Sequence, residues 1–81
     1  MRLLTGAGCG LCDEARRVLR ASAAPLGFRL VEQAIDGDPA LEAAHRHELP
    51  VVLVDGRRAL TLRVDPVELA RLVAEAERRH G

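Results

Sequence analysis

The spacing of apolar and polar positions changes several times along the chain, and each change predicts an element. Met1 to Leu4 is short and apolar-rich, as a first strand would be. "TGAGCG" follows with three glycines and reads as a loop. From Leu11 the spacing turns helical: Leu11, Ala15, Val18 and Leu19 share a face, while Arg16, Arg17 and Arg20 fall elsewhere. Ser22 takes the next position on that stripe, so the apolar face weakens toward the helix end. Asp13 and Glu14 lie in the first turn, where acidic side chains suit the helix dipole. Pro25 and Gly27 are expected to stop this helix.

Phe28 to Ile35, "FRLVEQAI", is partly alternating and predicts a second strand. Asp38 then reads as an N-cap and Pro39 as the first residue of a short helix reaching about His47, because proline lacks the N–H that would go unpaired there. Val51 to Val54 is an unbroken apolar run, which predicts a strand covered on both faces. Asp55-Gly56 is a hairpin signal, so Ala59 to Leu62 should pair antiparallel with it. Asp65, Pro66 and Glu68 repeat the cap grammar before a helix whose apolar stripe is Leu69, Leu72, Val73 and Ala76. Arg78, Arg79 and His80 suit its C-terminus.

The resulting order is β-α-β-α-β-β-α, an α/β arrangement with helices on both faces of a four-stranded sheet. Two crossovers would make the first three strands parallel, although the order alone leaves an antiparallel third strand open. The fourth strand joins antiparallel at an edge.

Composition narrows the function classes. Eighty-one residues make a single domain, residues 1–81. With one Phe, no Trp and no Tyr, the interior must be built from Leu, Val and Ala. Twelve basic residues, all arginine, balance twelve acidic ones, which argues against nucleic acid as a partner. The near absence of aromatics removes the stacking platforms of single-strand binders. No run approaches ~18 apolar residues, so no membrane span is expected. Nor is there a basic leader followed by a hydrophobic stretch, and a cytoplasmic protein is expected.

The chemistry concentrates in the two cysteines, Cys9 and Cys12, which form a C-x-x-C where the glycine loop meets the first helix. In a reducing compartment such a pair is a redox dithiol or half a metal site more often than a structural staple. The unpaired N–H groups of the first turn and the helix dipole favour a thiolate at Cys9, the attacking species in thiol–disulfide exchange. Cys12, one turn further on, can reach that sulfur and is less exposed, which assigns Cys9 to attack and Cys12 to resolve. The acidic Asp13 and Glu14 oppose this thiolate and the cationic Arg16 and Arg17 act in the other direction, a balance the sequence leaves open. A metal site would need two more ligands. His45 and His47 are the available pair, but residues two apart on a helix do not face one another, and both read as solvent-facing.

The ordered combination "LLTGAGCGLCDEA … IDGDPAL … LPVVLVDG … VDPVELARL" resembles the glutaredoxin and thioredoxin superfamily, and within it the small bacterial glutaredoxin-like proteins. The resemblance covers essentially the whole chain. It implies a thioredoxin-like fold whose third strand runs antiparallel to the first two, giving a mixed sheet. It also implies that Cys9 is the nucleophile, that Cys12 resolves, and that Pro50 follows a cis peptide bond and lies against the dithiol. Leu49 would then offer backbone groups to a substrate peptide or glutathione, beside Gly10 and Leu11 between the cysteines. Val64 and Asp65 would present backbone N–H groups to the γ-glutamyl end of glutathione, with Arg63 near a carboxylate. Typical glutaredoxins carry a tyrosine inside the motif, a basic residue before it and a paired-glycine turn near the last helix. Here those places read Gly10-Leu11, Ala7-Gly8 and "LRVDP". The tryptophan and the in-motif proline of thioredoxins are also missing.

The expected function is therefore a dithiol–disulfide oxidoreductase. It would need no bound metal or prosthetic group, would take glutathione as a candidate co-substrate and a disulfide-containing protein or glutathione as partner, and would act as a monomer. The alternatives are a redox-sensing or docking module on the same fold, and a cysteine-ligated metal site.

Overall fold

The computed structural model describes residues 1–80, and of His80 the backbone alone, so the expected cationic role of that side chain lies outside the described residues. Seven elements follow in order: β1 (Arg2–Thr5), α1 (Gly10–Leu26), β2 (Val31–Ala34), α2 (Pro39–His45), β3 (Val51–Val54), β4 (Arg57–Thr61) and α3 (Pro66–His80). The sheet order is β2-β1-β3-β4. β1 pairs parallel with β2, and β3 antiparallel with both β1 and β4, so the sheet is mixed. Of the two directions open to the third strand, the antiparallel one is adopted.

Alternation along the strands divides the core into two layers. Leu3 of β1 faces Val52 of β3 in register, and both belong to a cluster with Ala15 and Leu19 of α1 and Leu69 and Val73 of α3. Leu4 faces Val51, and these pack with Ile35 on the opposite side, where Leu41 of α2, Leu49 and Leu53 join them. The apolar run Val51–Val54 is thus used on both faces, as its composition requires. Two helices cover one face and the short α2 the other.

Local chemistry explains most element ends. The N-cap carboxylate of Asp38 accepts from the Leu41 amide at 3.2 Å, with Pro39 next to it. Asp65 accepts from the Val67 amide at 2.8 Å and so caps α3. Glu68, the expected partner in that cap, pairs with Arg71 instead. Asp55 and Gly56 both adopt positive φ, 54° and 76°, the pattern of a tight hairpin turn that matches strand twist.

Several boundaries differ from the sequence expectation. α1 runs through Pro25 to Leu26 and ends at Gly27, whose amide bonds the Ala24 carbonyl while that of Phe28 bonds Ala23. The proline sits in the last turn. β1 is shifted to Arg2–Thr5, because Thr5 has Ala34 as a ladder partner. β2 is shorter than Phe28–Ile35: Phe28 and Leu30 are spent on the core without joining the ladder. α2 ends at His45 and not His47. β4 is Arg57–Thr61 and not Ala59–Leu62, with an irregularity opposite Val52/Leu53 shifting its register.

Candidate active site

Cys9 is the N-cap residue of α1. Its backbone is extended (φ −95°, ψ 103°), and its Sγ accepts the Cys12 amide at 3.2 Å. A side-chain acceptor is what an N-cap position calls for, and here sulfur supplies it. Cys9 is partly exposed, Cys12 is buried, and both are free thiols. Gly10 and Leu11 form the first turn between them.

Burial pushes the Cys12 thiol up to about 11, and its hydrogen bond and charge interaction with Cys9 add to the rise. Two groups oppose it: the nearby backbone amide of Gly6 and the Arg16 guanidinium. At neutral pH Cys12 is therefore a thiol.

The charges expected near the dithiol are tied to partners. Arg16 bonds Asp13 at 2.8 Å and Glu32 of β2 at 2.8 Å, and Arg20 bonds the other oxygen of Glu32 at 2.7 Å. The Arg20 and Arg16 bonds hold the Glu32 carboxyl below its ordinary range. The carboxylate of Asp13 is thus matched by a cation that also favours Cys12 ionisation. The glycine loop itself is tethered by the Ala7 amide, which donates to Asp36 at 3.1 Å.

The Leu49–Pro50 peptide is cis, and Pro50 is among the most buried residues. The leucine before it packs on Gly6. A Cβ placed on Gly6 would lie 2.7 Å from Leu49 Cδ1, so Leu49 closes over the loop whose amide lies near Cys12. Cys9, Cys12, Gly6 and Leu49 form one continuous group.

A groove of about 430 Å³ opens beside it, lined by Leu11, Glu14, Arg17 and Val18 of α1 and by residues 62–66. It brings together the predicted Leu11, Arg63, Val64 and Asp65. Gly10, Leu49 and Pro50 do not line it. His45 and His47 sit apart, at and just beyond the end of α2. His45 is not simply solvent-facing as expected: its Nδ1 is enclosed and lies 3.6 Å from Glu48, which Arg58 holds at 2.8 Å. Among the described residues, no three His, Cys, Asp or Glu side chains converge as a metal site would require.

Gly6 and Leu62 are not legible in the sequence as site residues, and of Arg16 the charge is legible but not its bonds to Asp13 and Glu32. A glycine directly after the first strand was the one available hint for Gly6.

Two comparisons bear on this arrangement. The family described as "Glutaredoxin-like domain (DUF836)" matches residues 1–75. Uncharacterised proteins of Mycobacterium bovis (strain ATCC BAA-935 / AF2122/97) and Mycobacterium tuberculosis (strain ATCC 25618 / H37Rv) are each 35% identical over 81 residues, spanning 94% of this chain and 84% of theirs. No helix among the described residues is long and apolar enough to cross a membrane.

Proposed function

Because the chain belongs to the glutaredoxin-like domain family, we propose that it is a thiol–disulfide oxidoreductase that alternates between a Cys9–Cys12 dithiol and disulfide. One observation carries this reading. The Cys9 sulfur is the cap acceptor of α1 and is partly open to solvent, with Cys12 buried one turn behind it. That arrangement leaves the Cys9 sulfur open to a substrate disulfide and keeps Cys12 within one helical turn of it.

In the proposed cycle the Cys9 thiolate attacks one sulfur of a substrate R–S–S–R′. A Cys9–S–S–R bond forms, the substrate bond breaks, and R′–S⁻ leaves and takes up a proton. Cys12 then loses its proton and attacks the Cys9 sulfur, which expels R–S⁻. The substrate gains two electrons and two protons, and the protein is left as the Cys9–Cys12 disulfide. Two molecules of glutathione, or one protein dithiol, return the electrons. Leu49 backbone groups and the groove edge at Val64 and Asp65 are the proposed docking points for a peptide or glutathione. No bound metal or prosthetic group takes part. We place the activity in the cytoplasm, carried out by a monomer.

The test is reduction of a glutathione mixed disulfide and of a protein disulfide, each with glutathione as the reductant. Turnover of either that disappears in Cys9→Ser supports the function; absence of turnover on both, together with no reduction of either disulfide in a single turnover by pre-reduced protein, overturns it.

A further inference from the structure

Leu62 has φ of 69°, a backbone region that glycine enters freely and a branched apolar residue seldom does. Two hydrogen bonds hold it there. The Leu62 amide donates to the Pro50 carbonyl at 2.9 Å, and the Arg63 amide donates to the Thr61 carbonyl at 2.8 Å. The second bond closes a three-residue turn around Leu62, a strained type that is rare in proteins. Folding recovers little from this, because the side chain remains 47% exposed. Such conformations persist where the surroundings impose them, and they cluster at binding and catalytic sites.

The place is informative. Leu62 lines the groove beside the dithiol together with Leu11, which lies between the two cysteines. Val18 and Val64 continue the apolar lining. The charged side chains of the groove are Glu14 and Asp65 against Arg17 and Arg63, two of each sign. The groove thus carries no net charge, and its apolar lining gains from covering an apolar side chain.

Resting on the oxidoreductase reading above, we propose that Leu62 is a specificity-determining residue. It selects polypeptide disulfides in which an apolar side chain neighbours the half-cystine attacked by Cys9. With the substrate sulfur at Cys9, that side chain enters the groove and packs on Leu62, Leu11 and Val64. The chemistry is the exchange already written: the reduced protein supplies both electrons, and the substrate leaves as two thiols.

The experiment is a single turnover of pre-reduced protein, without added reductant, on two disulfide-linked peptides. These differ in one residue beside the half-cystine, Leu in one and Ser in the other. One apolar contact is worth roughly 10- to 200-fold in such a comparison. We expect the wild type to react at least about 10-fold faster with the Leu peptide. Leu62→Gly, and Leu62→Ala as a second variant that keeps a Cβ, should bring the ratio to within about 3-fold. Val31→Ser, on the exposed β2 edge outside the groove, should keep the wild-type ratio. Equal wild-type rates, or a ratio that survives both Leu62 variants, overturn the inference and leave the oxidoreductase reading standing. Failure of the wild type to reduce either peptide overturns both.

Discussion

The Cys12 amide donates to the Cys9 sulfur at 3.2 Å, so a single atom both caps α1 and carries the proposed nucleophilic chemistry. The two roles separate by substitution. Cys9→Ser keeps a strong cap acceptor and should hold or raise the melting temperature while abolishing disulfide exchange. Cys9→Ala should lose exchange and also about 0.5–1 kcal/mol of stability. In a domain of this size that lowers the melting temperature by roughly 2–8 °C. Thermal denaturation and an exchange assay on the two variants check both halves.

Cys12 predicts an alkaline weakness. Its thiol, ordinarily near 9.0, is pushed up to about 11 in the fold. A raised folded value means that the stabilisation is fully present below pH 9 and is lost as pH rises through 11. The loss should be on the order of 1–3 kcal/mol. The chain has no lysine or tyrosine side chain to obscure the Cys12 titration in this window. Urea titrations of reduced protein at pH 8, 9, 10 and 11 should show the decline, and Cys12→Ala should flatten it. The resolving step should likewise accelerate with pH across this range, because burial, the main cause of the rise, remains in the mixed disulfide.

Gly6 and Leu49 should prove coupled. Gly6→Ala forces its new methyl against Leu49 Cδ1 and should cost about 1 kcal/mol, the low end for overpacking, because a leucine end can give way. Leu49→Ala opens the space, so the double variant should be more stable than the sum of the single costs. A double-mutant cycle by chemical denaturation measures this, with a coupling of at least ~0.5 kcal/mol expected.

Glu32 ties β2 to α1 through Arg20 and Arg16. Glu32→Gln should cost about 0.5–1 kcal/mol, and less in 1 M salt. Its carboxyl is held below the ordinary 4.5. The stabilisation is therefore present above pH 4.5 and lost as pH falls below it. Wild type and variant should converge in stability during acid titration followed by circular dichroism.

What the sequence disclosed follows the range of the forces involved. Asp38-Pro39, Asp55-Gly56 and Asp65-Pro66 act on their own neighbours through caps and turns, and each marked its element correctly. The paired cysteines announced a helix junction in the same way. Strand ends depend on a partner: β2 is confined to Val31–Ala34 opposite Arg2–Thr5, and no pattern within "FRLVEQAI" says where that partner stops. Leu62 continued the alternation of "ALTL" and looked like strand. Its left-handed turn depends partly on a bond to Pro50, distant in sequence. The closure of Leu49 over Gly6 is hidden for the same reason, and so is the reach of Arg16 to Glu32 on another element.

Attack by Cys9 and resolution by Cys12 can be read from intact masses after reduced wild type, Cys12→Ser and Cys9→Ser are incubated with oxidised glutathione. The wild type should form a Cys9–Cys12 disulfide, Cys12→Ser should accumulate a single glutathione adduct on Cys9, and Cys9→Ser should be little modified. An adduct on Cys12 at a comparable rate, or an unmodified Cys9 in the Cys12→Ser variant, would contradict these roles.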